Sequence, residues 1–282
     1  MNKLKLLSLA KTMLLATAFS ILIVSCGNNE TENQDETVQD TVAMVTEQAK
    51  KLIYPLPTPL EVTKMLIKAG ASYILDISNS TENADKYFTE AGKALNLGVY
   101  GADLSYASTY NKTQETTNYF VCTKKLLDGL NVQTPFNEEL AEKIEKNIDN
   151  AEVLHEILTT SFHDTFEFLN ENGKGAVSVM ILSGGWIESL YLSTELATLT
   201  DNNKEIIAGI AQQKSALKTL VSLLKTYESS ENVSGILSDL KDIEMIFSEV
   251  NEIDGKLQLT EEQFNNISSE IKSLRKKVVE TH

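Results

Sequence analysis

Two segments of this 282-residue chain set carboxylates, tyrosines and glycines at helical spacing. The first runs Gly98-Val99-Tyr100-Gly101-Ala102-Asp103-Leu104-Ser105-Tyr106, with Tyr110 one turn further; in the second, Gly184 and Gly185 precede Trp186, Glu188 and Tyr191. Residues three or four apart share a helical face, so Asp103 sides with Tyr106 and Glu188 with Tyr191. If the segments meet, Tyr100, Asp103, Tyr106, Trp186, Glu188 and Tyr191 line a pocket with an aromatic wall and acidic groups. Such a pocket suits a cationic or hydroxylated ligand. The plainer alternative is a packed interface in which each carboxylate accepts a bond from a tyrosine or caps a neighbouring helix. Neither spacing demands acid–base catalysis.

Histidine is the next candidate. His155, followed by Glu156, and His163, four residues before Glu167, fall on one expected helix, and residues so spaced can ligate a metal from one face. Against this, His163 stands among Phe162, Phe166 and Phe168, the setting of an interface residue. Cys122, in Tyr119-Phe120-Val121-Cys122, has no histidine near it in sequence to activate a thiolate and reads as a small buried hydrophobe. There is no Walker loop, dinucleotide fingerprint, nucleophile elbow or HExxH helix. No catalytic residue and no cofactor is therefore expected. The one arginine, Arg275, argues against sites built on guanidinium clamps. With Lys276 and Lys277 it reads as the cationic end of a helix that opens at Thr260-Glu261-Glu262-Gln263.

The elements that must position these residues are helical. Only four prolines occur, three of them between Pro55 and Pro59, and apolar residues recur at three- and four-residue spacing. The pattern predicts an all-α bundle or array with helices over 59–70, 83–96, 100–111, 114–130, 136–149, 151–172, 176–199, 202–228, 232–250 and 260–280. A short strand is possible over 73–77. Landmarks recur in order: Thr58-Pro59 answers Thr134-Pro135, Gly92-Lys93 answers Gly173-Lys174, and Asp103–Thr109 answers Glu188–Thr194. Two diverged four-helix units, 58–131 and 134–228, followed by C-terminal helices over 232–280, would explain the recurrence, as would chance among helices of narrow composition.

The first 25 residues carry Lys3, Lys5 and Lys11, no acid, and then an apolar run ending Ile23-Val24-Ser25-Cys26-Gly27. This resembles the lipobox of bacterial lipoproteins. The resemblance implies a signal peptide over 1–25, lipidation of Cys26, and attachment to the cell envelope, with Gly27 after the cysteine favouring the outer membrane. Residues 26–54 read as an acidic, polar tether and 55–282 as the helical domain. The whole plan is similar to that of helical envelope lipoproteins of Bacteroidota. His155, His163 and Glu167 resemble the histidine–acid helix of imelysin-like lipoproteins, which would imply metal binding, although the flanking motif of that group is absent.

Removing residues 1–25 takes the formal charge from -15 to -18, which disfavours nucleic acid and anionic headgroups as partners. The expectation is a membrane-anchored, non-catalytic binding or scaffolding module. Its partners are the membrane through its lipid, and an envelope protein or a small ligand.

Overall fold

The computed structural model describes residues 57–131, 138–148, 150–201 and 203–280. Cys26, the signal and tether over 1–54, the Thr134-Pro135 landmark and His282 lie outside them. Nine α-helices occur among the described residues: α1 (Pro59–Lys68), α2 (Glu90–Thr109), α3 (Thr113–Gly129), α4 (Glu138–Lys146), α5 (Ala151–Glu171), α6 (Gly175–Leu199), α7 (Lys204–Lys225), α8 (Glu231–Ser248) and α9 (Glu261–Glu280). The chain is all-α, as its periodicity predicts.

Local chemistry sets several boundaries. Thr58 opens α1 with a capping box: its backbone N donates to Glu61 Oε2 at 2.7 Å, its hydroxyl accepts from the Glu61 N–H, and Pro59 takes the first helical position. Thr260 and Gln263 do the same for α9, each side chain accepting from the other's backbone N–H. Between α8 and α9, Asn251–Ile253 (β1) and Lys256–Gln258 (β2) form a two-stranded antiparallel hairpin. Its Asp254-Gly255 turn has φ of +52° and +74°, the twist that suits a two-residue hairpin loop.

Two departures from the periodic reading matter for the site. The expected helices 83–96 and 100–111 are one helix, α2, and the chain before it is not regular α-helix. Leu75–Ile77, a possible strand by sequence, is a turn of 3-10 helix, and Thr81–Asp85 is another.

Helices α2 and α6 form the centre, packed side by side and parallel. Leu95 lies against Gly184 and Gly98 against Ile181 and Gly185 where the helices touch, Asp103 stands beside Glu188 further along both, and the N-terminal turns of both reach one end of α3. At the lower end Lys93 Nζ donates to Gly129 O and Lys174 Nζ to Leu130 O, both at 3.0 Å, so two matched landmarks cap the same end of α3. A Cβ on Gly98 would clash with the Ile181 carbonyl, and one on Gly184 with the Leu95 carbonyl; only glycine permits this approach. Helix α6 is long and apolar enough to cross a membrane by composition, but 89% of its most apolar window is buried by its neighbours, as a central core helix requires. Helices α1, α3, α5, α7 and α9 pack around the pair.

Candidate functional site

The acid–tyrosine face of α2 has a definite task. Tyr100, Asp103, Tyr106 and Tyr110 lie along one stripe and receive the irregular chain 71–80 that precedes the helix. Tyr110 OH donates to Ala71 O at 2.6 Å, Ile74 N donates to Tyr106 OH at 2.7 Å, Asn79 N donates to Asp103 Oδ2 at 3.1 Å, and Tyr100 OH donates to Ser80 O at 2.7 Å. A loop laid on a buried helix has backbone groups that neither water nor a ladder can satisfy. This row of side chains supplies the missing partners. Tyr73 completes the layer, stacked on Tyr106 with ring centroids 4.7 Å apart. Burial pushes the Tyr106 hydroxyl up to about 12, so it stays a neutral donor and acceptor.

Beneath the loop the two carboxylates meet. Asp103 and Glu188 are both fully buried, and each is driven upward first by desolvation; for Asp103 the neighbouring Glu188 charge adds to the rise. Arg275 reaches in from α9 and grips Glu188 bidentately, Nε to Oε2 at 2.9 Å and Nη2 to Oε1 at 3.1 Å, while its guanidinium lies 4.7 Å from the Tyr191 ring centroid. Two carboxyls and one guanidinium balance only if one carboxyl is neutral. Of the two, Asp103 is raised the further, because the guanidinium pairs with Glu188 and the Glu188 charge faces Asp103. A protonated Asp103 has Glu188 within hydrogen-bond reach.

Of the six residues expected around a pocket, Asp103, Glu188 and Tyr191 therefore come together, joined by an arginine that was read as a helix-end cation. Tyr100 and Tyr106 point from the same helix to the loop. Trp186 faces elsewhere: its indole N–H donates to Gln213 Oε1 on α7 at 3.2 Å. The assembled groups form a packed polar core rather than the wall of a cavity.

The histidines lie on α5, away from this core. His155 approaches Lys64 and Glu61 of α1, and burial together with Lys64 holds its pKa below the usual imidazole range. His163 meets Phe162 edge-on at 5.7 Å. Among the described residues no three of His, Cys, Asp and Glu are arranged to hold a metal ion. Cys122 is buried, its Sγ 3.8 Å from Thr81 O, and desolvation raises its thiol to about 11, far from a thiolate at neutral pH.

The opposite side of α2 borders a half-open hollow of about 110 Å³ that α5 flanks. Leu97 and Leu104 of α2, Leu127 of α3, and Leu158, Phe162 and Phe166 of α5 are among its apolar lining, with α1 and α6 completing the wall. Its serines and threonines mostly turn inward on their own helices: Ser105 Oγ donates to Gly101 O and Ser178 Oγ to Gly175 O. Thr159 Oγ1 is the exception, buried with no partner. Gly101 also borders the cavity, and a Cβ there would meet nothing within 4 Å. Sequence reasoning took Gly101 for part of an acid–tyrosine motif. Its separation from Leu97 and Leu104 by one turn each was the signal of this second face.

No family model matches the chain, and no curated protein or solved structure matches it.

Proposed function

We propose that this chain is a lipid-anchored, non-catalytic binding module of the bacterial envelope, and that its helical body takes a small apolar ligand, or the apolar end of a larger one, between α5 and the α1–α2–α6 wall. The observation that carries this reading is the hollow at Gly101. A helix-interior glycine costs roughly 0.5–1 kcal/mol relative to alanine, and Gly98 and Gly184 have a steric reason for that cost whereas Gly101 has none. What the missing side chain preserves is space. Close-packed interiors leave few voids, and an apolar void of this order admits small aromatic or aliphatic molecules. The lone Thr159 hydroxyl offers one polar contact for orienting a ligand.

The anchor rests on Ser25-Cys26 after the apolar run. Several acyl chains, at about 0.8 kcal/mol per buried methylene, hold a protein stably at a membrane. Expressed in a bacterium with lipoprotein processing, the wild-type chain partitions into the detergent phase on cloud-point extraction and Cys26→Ala partitions into the aqueous phase. Equal partitioning would remove the anchor from the account. For the hollow, titration of the mature chain with toluene gives saturable shifts in the methyl NMR signals of Leu97, Leu104 and Leu127, and unchanged signals would exclude the site.

A further inference from the structure

The apolar hollow at Gly101 has a neighbour. A smaller void of about 30 Å³ adjoins it, and Pro59, Phe162, Leu182 and Gly185 border both. The outer hollow takes in Ser178, Ile181, Leu182 and Gly185 of α6, and the inner void Leu182, Gly185, Trp186 and Ser189, so one follows the other along a single helix. Val62 of α1 and Leu220 of α7 are among the inner lining, which is largely apolar.

Gly185 stands where the two adjoin. A Cβ there would meet its nearest described neighbours, Gly98 O and Pro59 Cγ, at 3.5 Å, an ordinary van der Waals distance, whereas a Cβ on Gly98 or Gly184 would strike a carbonyl. Glycine within a helix costs stability relative to alanine, so at Gly185, as at Gly101, the missing side chain leaves room. That room is one methyl group deep and lies beside Pro59. Phe162, half-buried, borders the same junction from α5. A passage of this width admits a methylene chain and excludes a ring. The outer hollow is of the order that holds one small ring, and the inner void adds space for roughly two methylene-sized groups.

We infer that the ligand of the hollow is an unbranched alkyl chain of about eight carbons on a small polar head, threaded past Gly185 so that its end meets Trp186 while the head stays in water at the open side. This inference rests on the reading of the Gly101 hollow as a ligand site and adds the class of molecule that the site takes. It also gives Trp186 a part in binding, as the end wall of the inner void.

The test is titration of the full mature chain with 1-butanol, 1-hexanol and 1-octanol. The methyl NMR signals of Leu97 and Leu104 report on the outer hollow, and the fluorescence of Trp186, the one tryptophan of the chain, reports on the inner void. All three alcohols bind saturably, octanol roughly tenfold more tightly than hexanol, as two further buried methylenes require. Trp186 emission responds to octanol and not to butanol. Gly185→Ala fills the passage and keeps a Tm equal to or above that of the wild type; in this variant octanol binds no more tightly than hexanol, and Trp186 ceases to respond. Toluene binding with no gain from butanol to octanol would overturn the alkyl chain and leave the hollow standing, as would octanol affinity and a Trp186 response that survive in Gly185→Ala. Failure of toluene and the alcohols alike to bind would remove the hollow and this inference together.

Discussion

Asp103 carries the sharpest consequence at the scale of single residues. It is fully buried, its carboxyl is held well above the ordinary carboxylate range, and the charged or titratable groups facing it are Glu188 and Arg275, with Tyr100, Tyr119 and Cys122 nearby. The folded state therefore retains a proton that the unfolded chain gives up once the pH passes about 3.9. Linkage then lowers stability as pH rises from that value through the folded-state pKa, and Glu188, also raised, acts in the same direction. Asparagine mimics the protonated form: it keeps the oxygen that accepts from Asn79 and adds a donor toward Glu188. Asp103→Asn is expected to be at least as stable as wild type at pH 7–8, with a shallower fall of Tm as pH rises. A lower Tm with an unchanged slope, measured by calorimetry across pH 5–8, would show that Asp103 is ionised in the fold. Removing the guanidinium instead leaves Glu188 buried and unpaired, so Arg275→Met costs roughly 3–5 kcal/mol, read in chemical denaturation.

Among the elements, the α2–α6 pair fixes everything else, and its glycines divide into two kinds. Gly184→Ala forces a Cβ onto the Leu95 carbonyl, which α2 can relieve only by moving away. Overpacking of that sort costs about 1–3 kcal/mol, and backbone contact places this case at the upper end. Chemical denaturation of Gly184→Ala checks it; wild-type stability would mean that the helices do not approach as described.

These glycines also show how far the elements were legible in the sequence. Helix periodicity located the well-separated helices α1, α3 and α5–α9 within a few residues, because apolar spacing and caps act locally. It split α2 at Gly98–Gly101, where glycine serves tertiary approach and open space rather than a break. It misread 73–88 because the chain over 74–80 is held by Tyr100, Asp103 and Tyr106, up to 32 residues away in sequence. The hairpin at Asp254-Gly255 has no counterpart among the expected elements, since its strands are only three residues long. For the site, the acid–tyrosine residues were picked out by spacing and their partners were not. Arg275 sits among lysines at a helix end, and nothing local distinguishes a cation facing solvent from one buried against Glu188.

At the scale of the whole molecule, α2 divides a close-packed polar core from an apolar hollow. One face of that helix is hydrogen-bonded to a loop, and the other is left partly empty. The central claim is that the space at Gly101 is kept for a ligand at some cost in stability. Gly101→Leu tests it most directly, since the new side chain fills the hollow without touching the α2–α6 contact. The account predicts a protein of equal or higher Tm that no longer binds toluene; a variant that binds as wild type does, or one that unfolds because no space existed, would contradict it.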